Sequence, residues 1–361
     1  MKVTFFIGGL SGGGAERVVC QLSSYLVKKN YEVEILTVSE SGRPYSLDER
    51  VSIKSLDSEK KSMNRVLRIF QKLMSLRRYV IQNETDVYVA FLTYSIAAMA
   101  LMRRIVKVPI IASSRNDPSL YPFTMKKILM WAIKRVDGVV NQTTEIDEYF
   151  KKCIAMKSST VIPNAISSEF KPYYGKREKK IVTAGRFNKQ KNIPLLLNSF
   201  ARLSKEYPDY RLVIYGEGIL KTEYIDIAKE LGILDQVDFP GYVSNVSEKM
   251  KDAAMFVLPS DYEGISNALI EAMATGIPCI STDSLGGGSR MLIKDHENGL
   301  LVPRSDVDKM YYAMKEYIDN PELANNCGFE ASKIPSVFAP DNIYHMWEEY
   351  ILSIYKQYKG V

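Results

Sequence analysis

Residues 3–38, VTFFIGGLSGGGAERVVCQLSSYLVKKNYEVEILTV, hold the pattern that decides the fold of this chain. An apolar strand over 3–7 leads into a glycine-rich loop, which opens an amphipathic helix over 15–29 and then a second apolar strand over 32–38. The same alternation recurs as far as residue 162. Because helical stretches separate the strands, the pattern predicts an open, parallel α/β sheet.

A second series of the same kind begins after a polar stretch. Residues 163–180 carry prolines, a glycine and a run of charged residues, a composition suited to an exposed linker. Behind it the pattern predicts strands at 181–184, 211–215, 237–239, 255–259, 279–282 and 299–302. We therefore predict two Rossmann-like domains, residues 1–170 and 171–340, followed by a terminal helix over 341–361 that packs back on the body.

Composition narrows the class of protein. With 361 residues, 46% hydrophobic and 25% charged, the chain can bury a sizeable core. The four cysteines form no Cys-x-x-Cys pair and only two histidines occur, so we expect buried, reduced cysteines and no metal site. The longest apolar stretch, 87–102, falls short of the roughly 18–20 residues of a membrane span, and the apolar run at the start is too short for a signal peptide. We expect a cytoplasmic protein.

The net charge of +6 is unevenly distributed, because the excess of basic residues falls in residues 1–170. The segment 60–83 carries lysines and arginines but no acid, interleaved with apolar residues, which predicts a basic amphipathic helix. Such a helix can lie on an anionic membrane, where each basic residue contributes about 1 kcal/mol. A plain solvated helix packed on the sheet is the alternative. Nothing favours nucleic acid as a partner, since neither an aromatic-basic RNA motif nor a helix-turn-helix pattern appears.

The glycine-rich loop 8–14 joins a strand to a helix, where backbone amides and the helix dipole favour an anion. It does not fit G-x-G-x-x-G, because Arg17 stands where the third glycine belongs, and it lacks the lysine of a P-loop. Nicotinamide binding and P-loop phosphoryl transfer are therefore disfavoured. A tight turn that needs glycine for its backbone angles is an equally good interpretation.

Three loops in the second half follow predicted strands. The first contains Arg186 and Lys191, two cations that could neutralise a diphosphate, although either alone is better explained as solvated charge. The second, residues 260–267, contains Glu263 and Gly264 and opens a helix carrying Glu271, whose carboxylate could accept two ribose hydroxyls. The third, residues 283–289, contains three consecutive glycines whose amides could wrap phosphates. A flexible crossover is the alternative for the third loop, but three such loops at the strand ends of one domain favour a shared ligand site.

Together these motifs resemble the retaining glycosyltransferases of family four, which have the GT-B fold, an α/β architecture of two Rossmann-like domains facing a central cleft. The resemblance covers nearly the whole chain. Residues 163–165 resemble that family's interdomain loop, residues 240–243 its base-binding loop, and residues 12–17 its acceptor-side loop.

The resemblance implies retaining transfer from a nucleotide-sugar, most simply a UDP-sugar, to a glycan or lipid-linked acceptor, with no metal or other cofactor. Arg186 and Lys191 then bind the diphosphate and Glu263 lies near the transferred sugar. The implied donor-binding residues are Glu271, Gly264, Ile265, Ser266, Asn267, Gly286, Gly287, Gly288, Tyr242 and Val243. The acids of Asp306-Val307-Asp308 superficially match a metal-binding Asp-x-Asp, but helix capping is the simpler prediction for them.

One departure from the family pattern concerns the first half. Many relatives place a histidine near the sugar, whereas this chain has none before His296. Arg115-Asn116-Asp117 resembles the corresponding stretch of a subset that acts in bacterial surface-polysaccharide assembly, so we predict that these residues, with Gly13 and Gly14, contact acceptor or sugar. A protein of that subset is expected at the inner face of the cell membrane. A non-catalytic GT-B partner subunit and a GT-B sugar-nucleotide epimerase are the alternatives.

Overall fold

The computed structural model describes residues 1–10, 13–39, 45–56, 64–115, 117–166, 170–243 and 245–361. The chain forms two compact units, residues 1–165 with 341–361, and residues 166–340. The division falls at 165/166, a few residues before the predicted boundary at 170/171.

The first unit is built on a parallel sheet. In the described residues its seven strands lie in the order β3-β2-β1-β4-β5-β6-β7. The elements in chain order are β1 (Lys2–Ile7), α1 (Gly14–Lys28), β2 (Glu32–Thr37), β3 (Ser52–Ser55), α2 (Arg65–Gln82), β4 (Val87–Phe91), α3 (Thr93–Met102), β5 (Ile110–Ser113), α4 (Phe123–Ile133), β6 (Gly138–Asn141), α5 (Thr144–Cys153) and β7 (Ser159–Val161).

The second unit repeats this arrangement. Its described strands lie in the order β10-β9-β8-β11-β12-β13, and all the pairs are parallel. The elements are β8 (Glu178–Ala184), α6 (Ile193–Glu206), β9 (Arg211–Tyr215), α7 (Lys221–Glu230), β10 (Val237–Gly241), α8 (Val246–Met250), β11 (Ala253–Leu258), α9 (Asn267–Ala274), β12 (Cys279–Thr282), α10 (Gly288–Leu292), β13 (Leu300–Val302), α11 (Val307–Asp319), α12 (Pro321–Ala331) and α13 (Ile334–Val337).

Strand order determines where each sheet can hold a ligand. In each sheet, successive strands are added outward in both directions from one switch point. This point lies between β1 and β4 in the first sheet and between β8 and β11 in the second. Loops at the carboxyl ends of those neighbouring strands leave in opposite directions and open a crevice, the usual ligand site of such sheets. The structure thus confirms the prediction of an α/β fold with two parallel, Rossmann-like sheets.

The last helix, α14 (Pro340–Lys359), packs on the first unit. Ile343, Trp347, Ile351 and Ile354 are buried along one face, and the Trp347 ring stacks on Phe91 with centroids 5.6 Å apart. Met346, which the periodicity places on the same stripe, is instead 38% exposed. In the described part of the chain no helix combines the length and apolar character of a membrane span.

Three details differ from the sequence predictions. β3 was not predicted, because this four-residue edge strand is polar and its side chains are not fully buried. The basic helix α2 begins at Arg65, where Asn64 Oδ1 accepts a hydrogen bond from Val66 N at 2.9 Å, and the predicted residues 60–63 lie outside the described residues. Cys153, at the end of α5, is exposed rather than buried; the other three cysteines are buried as expected.

Candidate active site

Lys191 and Glu263 form an ion pair at the carboxyl edge of the second sheet. Lys191 lies in the loop after β8 and Glu263 in the loop after β11, the two strands that flank the switch point. Their side chains are only 15% and 9% exposed. Because two charges removed from water need a partner, the pair holds both groups in fixed positions.

Two residues that the sequence pattern does not single out complete the surroundings of Glu263. Ser260 Oγ donates to Glu263 Oε1 at 2.9 Å, and Gln190 Nε2 donates to Oε2 at 3.3 Å. Gln190 Nε2 also reaches the carbonyl oxygen of Tyr262 at 2.9 Å. The signal for Gln190 was its place beside Lys191 in the predicted loop. Both carboxylate oxygens are therefore engaged, so the carboxylate has little freedom to rotate.

Backbone hydrogen bonds join the three predicted loops into one structure. Asp261 N donates to the carbonyl of Gln190 at 2.9 Å, which links the loops after β8 and β11. Glu263 N donates to the carbonyl of Leu285 at 2.8 Å, and Leu285 N donates to that of Asp261 at 3.0 Å, which links the loops after β11 and β12. The predicted loops thus come together at one edge of the sheet.

Glycines allow this close packing at two points. The side chain of Lys191 passes so close to Gly185 that a Cβ there would lie 2.9 Å from Lys191 Cε. At Gly288 a Cβ would overlap the carbonyl oxygen of Gly264, a backbone atom that is not free to move aside. Gly286 and Gly287 lie in the left-handed region, with φ of 91° and 72°, which suits glycine.

The other predicted donor residues lie in loops that follow strands of the same sheet, or in the helix that such a loop opens. Arg186 is exposed on the loop after β8, and Tyr242, 78% exposed, follows β10 together with the half-buried Val243. The loop after β11 continues through the buried Ile265 to Ser266, whose Oγ caps α9 by accepting from Leu269 N. Asn267 opens that helix and Glu271 follows in its second turn. Direct contact is thus seen between Lys191 and Glu263 and between the Gly264 and Gly288 loops.

The predicted acceptor residues lie in the first unit, also at the carboxyl edge of a sheet. Gly13 caps α1, its amide donating to the carboxylate of Glu16, and Gly14 is the first residue of that helix. Arg115 and Asp117 follow β5 and are each 7% exposed. Asn116 lies outside the described residues.

Arg115 is a buried cation. Its guanidinium carbon lies 5.4 Å from the centre of the Phe91 ring and 5.8 Å from that of Trp347. Among the described residues, none of its three guanidinium nitrogens has a hydrogen-bond partner. Burial lowers the pKa of Arg115 to about 9. The aromatic faces offset part of the cost of burying the charge, but they leave its donors unused.

No group of three or more His, Cys, Asp or Glu side chains suited to a metal occurs in the part of the chain that the structure describes. Asp306 caps α11, with its Oδ1 accepting from Lys309 N at 2.9 Å, which confirms the capping prediction. Asp308 pairs with Arg202.

Comparisons with known proteins agree with this architecture. Residues 12–170 match the family described as Glycosyltransferase Family 4, and residues 167–334 match the one described as Glycosyl transferases group 1. A crystal structure of HepE from Anabaena in complex with UDP and glucose has a TM-score of 0.84 to this chain at 15% identity, covering 98% of this chain and 100% of that one.

Two curated relatives are similar over most of this sequence. The chain is 29% identical over 336 residues to an α-1,4-N-acetyl-D-galactosaminyltransferase of Campylobacter jejuni, with 90% of this chain and 92% of that protein covered; its name specifies a diphospho-undecaprenol-linked acceptor. It is 26% identical over 384 residues to an exopolysaccharide phosphotransferase of Streptomyces coelicolor. That match covers 97% of this chain but 40% of the relative, so the chain spans less than half of that protein's length.

The two family matches overlap at residues 167–170 and together cover most of the chain; the first contains most strands of the first sheet and the second contains the strands of the second sheet. The resemblance inferred from the motifs is thereby confirmed: this chain is a glycosyltransferase built from a Family 4 region and a group 1 region, and it has the GT-B fold.

Proposed function

We propose that this protein transfers a sugar, with retention of anomeric configuration, from a UDP-sugar to a glycan or lipid-linked acceptor in bacterial surface-polysaccharide assembly. The observation that carries the proposal is the Lys191–Glu263 pair, held among three interlinked loops at the switch point of the second sheet. The intact set of Arg186, Lys191, Glu263 and Glu271 argues against a silent partner subunit.

The roles of the cations follow from the chemistry of the leaving group. When the bond between the sugar C1 and the donor phosphate breaks, negative charge grows on the diphosphate. Lys191, fixed by Glu263, and the exposed Arg186 on the same loop supply positive charge that stabilises it. A donor phosphate oxygen takes the proton of the acceptor hydroxyl as the new bond to C1 forms. The protein thus acts by positioning and by electrostatics.

The remaining donor contacts are assigned by chemistry and position. Tyr242 presents an exposed ring on which a base can stack, and the carboxylate of Glu271 can accept hydrogen bonds from two ribose hydroxyls. The loop of Gly286, Gly287 and Gly288 brings backbone amides close to the Lys191–Glu263 pair, where phosphate oxygens can accept from them.

A lipid-linked acceptor is the class named for the Campylobacter relative, and we assign the same class here. Gly13, Gly14, Arg115, Asn116 and Asp117 are the residues that we assign to acceptor or sugar contact. Full activity in Asp117→Ala would count against this assignment, whereas lost activity in a folded protein would support it.

Helix α2 provides a surface suited to an anionic membrane. Val66, Ile69 and Phe70 are more than half exposed, and basic residues such as Arg68 and Arg77 are exposed on the same helix. Apolar side chains can enter the headgroup boundary while the basic groups pair with anionic lipid. We therefore place the protein at the cytoplasmic face of the membrane.

The chemistry of the transfer is tested by following the anomeric proton of the sugar by NMR during turnover. Retaining transfer predicts a product with the α configuration of the UDP-sugar donor, formed only when acceptor is present. A β product would contradict retention. A sugar altered at a ring carbon without acceptor would indicate the epimerase instead.

A further inference from the structure

A cavity lies in the second unit, at the edge of its sheet opposite to the candidate active site. Its volume of 460 Å³ falls within the range of about 300–1,000 Å³ usual for small-ligand pockets. Its lining includes Glu178, where β8 begins, and Pro278, which directly precedes β12. These are amino ends of parallel strands, whereas the loops with Lys191 and Glu263 follow carboxyl ends. The cavity is therefore separate from the candidate active site.

The floor of this cavity is fixed by Arg177. The guanidinium group donates to the carbonyl oxygens of Lys251 and Ala253 at 3.1 Å each, and also to that of Gly276. This residue belongs to the stretch predicted as an exposed linker, yet it is half-buried and ties three chain segments together. Rigid segments around a cavity keep it open without a ligand, so binding costs little free energy of ordering.

One wall is formed by a close approach of two glycines. Gly276 has a φ of +72°, and a Cβ at Gly328 would overlap the carbonyl oxygen of Gly276. Glycine at position 328 therefore allows α12 to lie directly against the turn before β12, and glycine at 276 suits the left-handed conformation of that turn. Other polar groups of the lining, including Asn325 and Ser332, are carried by α12 or follow it.

Aromatic rings dominate the mouth of the cavity. Tyr173, Tyr174, Tyr210 and Phe329 line it, and Tyr174 and Phe329 are 83% and 56% exposed. The lining thus combines exposed aromatic rings with polar side chains, a combination that marks ligand-binding grooves. A sugar ring suits this lining, because its C–H faces pack on aromatic rings while its hydroxyl groups exchange hydrogen bonds with polar side chains.

We propose that this cavity is a saccharide-binding site, distinct from the donor site, that holds glycan away from the point of transfer. The cavity, its aromatic rim and its polar lining carry the inference; only the identity of the glycan as acceptor or product rests on the proposed function. A surface that holds glycan raises the local concentration of acceptor at the enzyme.

The test is saturation-transfer NMR on the full chain with maltotriose and chitotriose as probes, since these present hexose and N-acetylhexosamine rings. At least one probe is expected to receive saturation from the wild-type protein. The double variant Tyr174→Ala/Phe329→Ala is expected to weaken that binding about tenfold, the equivalent of about 1.4 kcal/mol. Tyr312→Ala, which removes another ring that is 56% exposed but lies outside the cavity, is the matched control and is expected to retain binding.

Binding of UDP, measured by calorimetry on the same samples, separates this inference from the proposed function. If UDP binds but neither probe does, or if the double variant binds the probes as well as wild type does, the saccharide site is wrong and the donor site stands. If binding of the probes depends on Tyr174 and Phe329 while UDP does not bind, the saccharide site stands and the UDP-sugar assignment is wrong.

Discussion

Both carboxylate oxygens of Glu263 accept hydrogen bonds, and one of them also pairs with the ammonium group of Lys191. Its importance, and that of Lys191, is predictable from sequence because charged residues after apolar strands fall at a known edge of the sheet. The contribution of Ser260 and Gln190 was not predictable in this way. Their roles depend on the register between loops far apart in sequence, which tertiary packing sets.

Replacing Lys191 by Met should lower kcat by about 10²–10³-fold, because it removes the preorganised positive charge that stabilises the leaving diphosphate. Lys189→Met is the matched control, since Lys189 is an exposed lysine of the same loop. Steady-state kinetics measure kcat for both variants. Equal losses of kcat would show that Lys191 acts only through the general charge of the loop.

The ion pair should also be visible in stability. In a double-mutant cycle of Lys191→Met and Glu263→Gln, we expect a coupling of about 1–3 kcal/mol in the free energy of unfolding, since the two groups are in contact and mostly buried. Denaturant unfolding of the four proteins gives this value. Additive effects would mean that the two charges are not paired in solution.

The surroundings of Arg115 could not be predicted from the sequence. Its position after β5 was predictable, but its burial between Phe91 and Trp347 was not, because Trp347 lies on a helix more than 200 residues away in the chain. Local pattern carries no information about such a contact.

Replacing Arg115 by Met should leave the melting temperature unchanged or raise it, while activity is lost. Among the described residues the Arg115 guanidinium has no hydrogen-bond partner, so an apolar side chain of similar length removes a desolvation cost. Arg103→Met is the control, because Arg103 pairs at 3.0 Å with the buried Asp137 and its loss should destabilise the protein. A melting temperature that falls more in Arg115→Met than in Arg103→Met would mean that Arg115 has a structural role.

At the scale of elements, apolar strands were placed within a few residues, since a buried parallel strand is apolar throughout. β3 shows the limit, because a polar edge strand has no such signal. The close approach of Gly288 to Gly264 is likewise a property of the assembled loops, and the three consecutive glycines predicted only a phosphate-binding loop.

Gly288→Ala should therefore separate the loops after β11 and β12 and weaken UDP binding by at least about tenfold, or about 1.4 kcal/mol. Gly8→Ala is the control, since a Cβ there meets no atom within 4 Å. Calorimetric titration with UDP measures the effect. Wild-type affinity in Gly288→Ala would show that the two loops do not need to touch.

Because of a contact with helix α14, the stability of the first unit is expected to fall at alkaline pH. Burial and the neighbouring carboxylate of Glu348 raise the pKa of Tyr25 and of Tyr31 to about 12. Because these pKa values lie above the unfolded value near 10, the stabilisation is complete below pH 10 and is lost as pH rises towards 12. Thermal unfolding between pH 8 and 11.5 should show a falling melting temperature, with a shallower fall in Tyr25→Phe/Tyr31→Phe. Identical curves would refute the assignment.

At the scale of the whole molecule, two repeats of one strand order explain why alternation in the sequence was enough to predict the architecture. Surfaces are less predictable. The basic helix was evident from composition, but the exposure of its apolar residues became evident only from the fold.

The surface of α2 should bind anionic vesicles at low salt and release them at high salt, since the Debye length shrinks from about 30 Å at 0.01 M to 3 Å at 1 M. Phe70→Glu should abolish sedimentation with vesicles rich in phosphatidylglycerol. Val337→Glu, at a position that is 64% exposed in the second unit, should not. No pelleting of the wild-type protein at low salt would rule out this membrane surface.

The most direct test of the central claim is release of UDP from a panel of UDP-sugars by the purified protein, with and without a bacterial membrane extract as the source of acceptor. The account predicts release from at least one donor, dependent on the extract and lost in both Lys191→Ala and Glu271→Ala. No release from any donor by a folded protein, or release that persists in both variants, would contradict it.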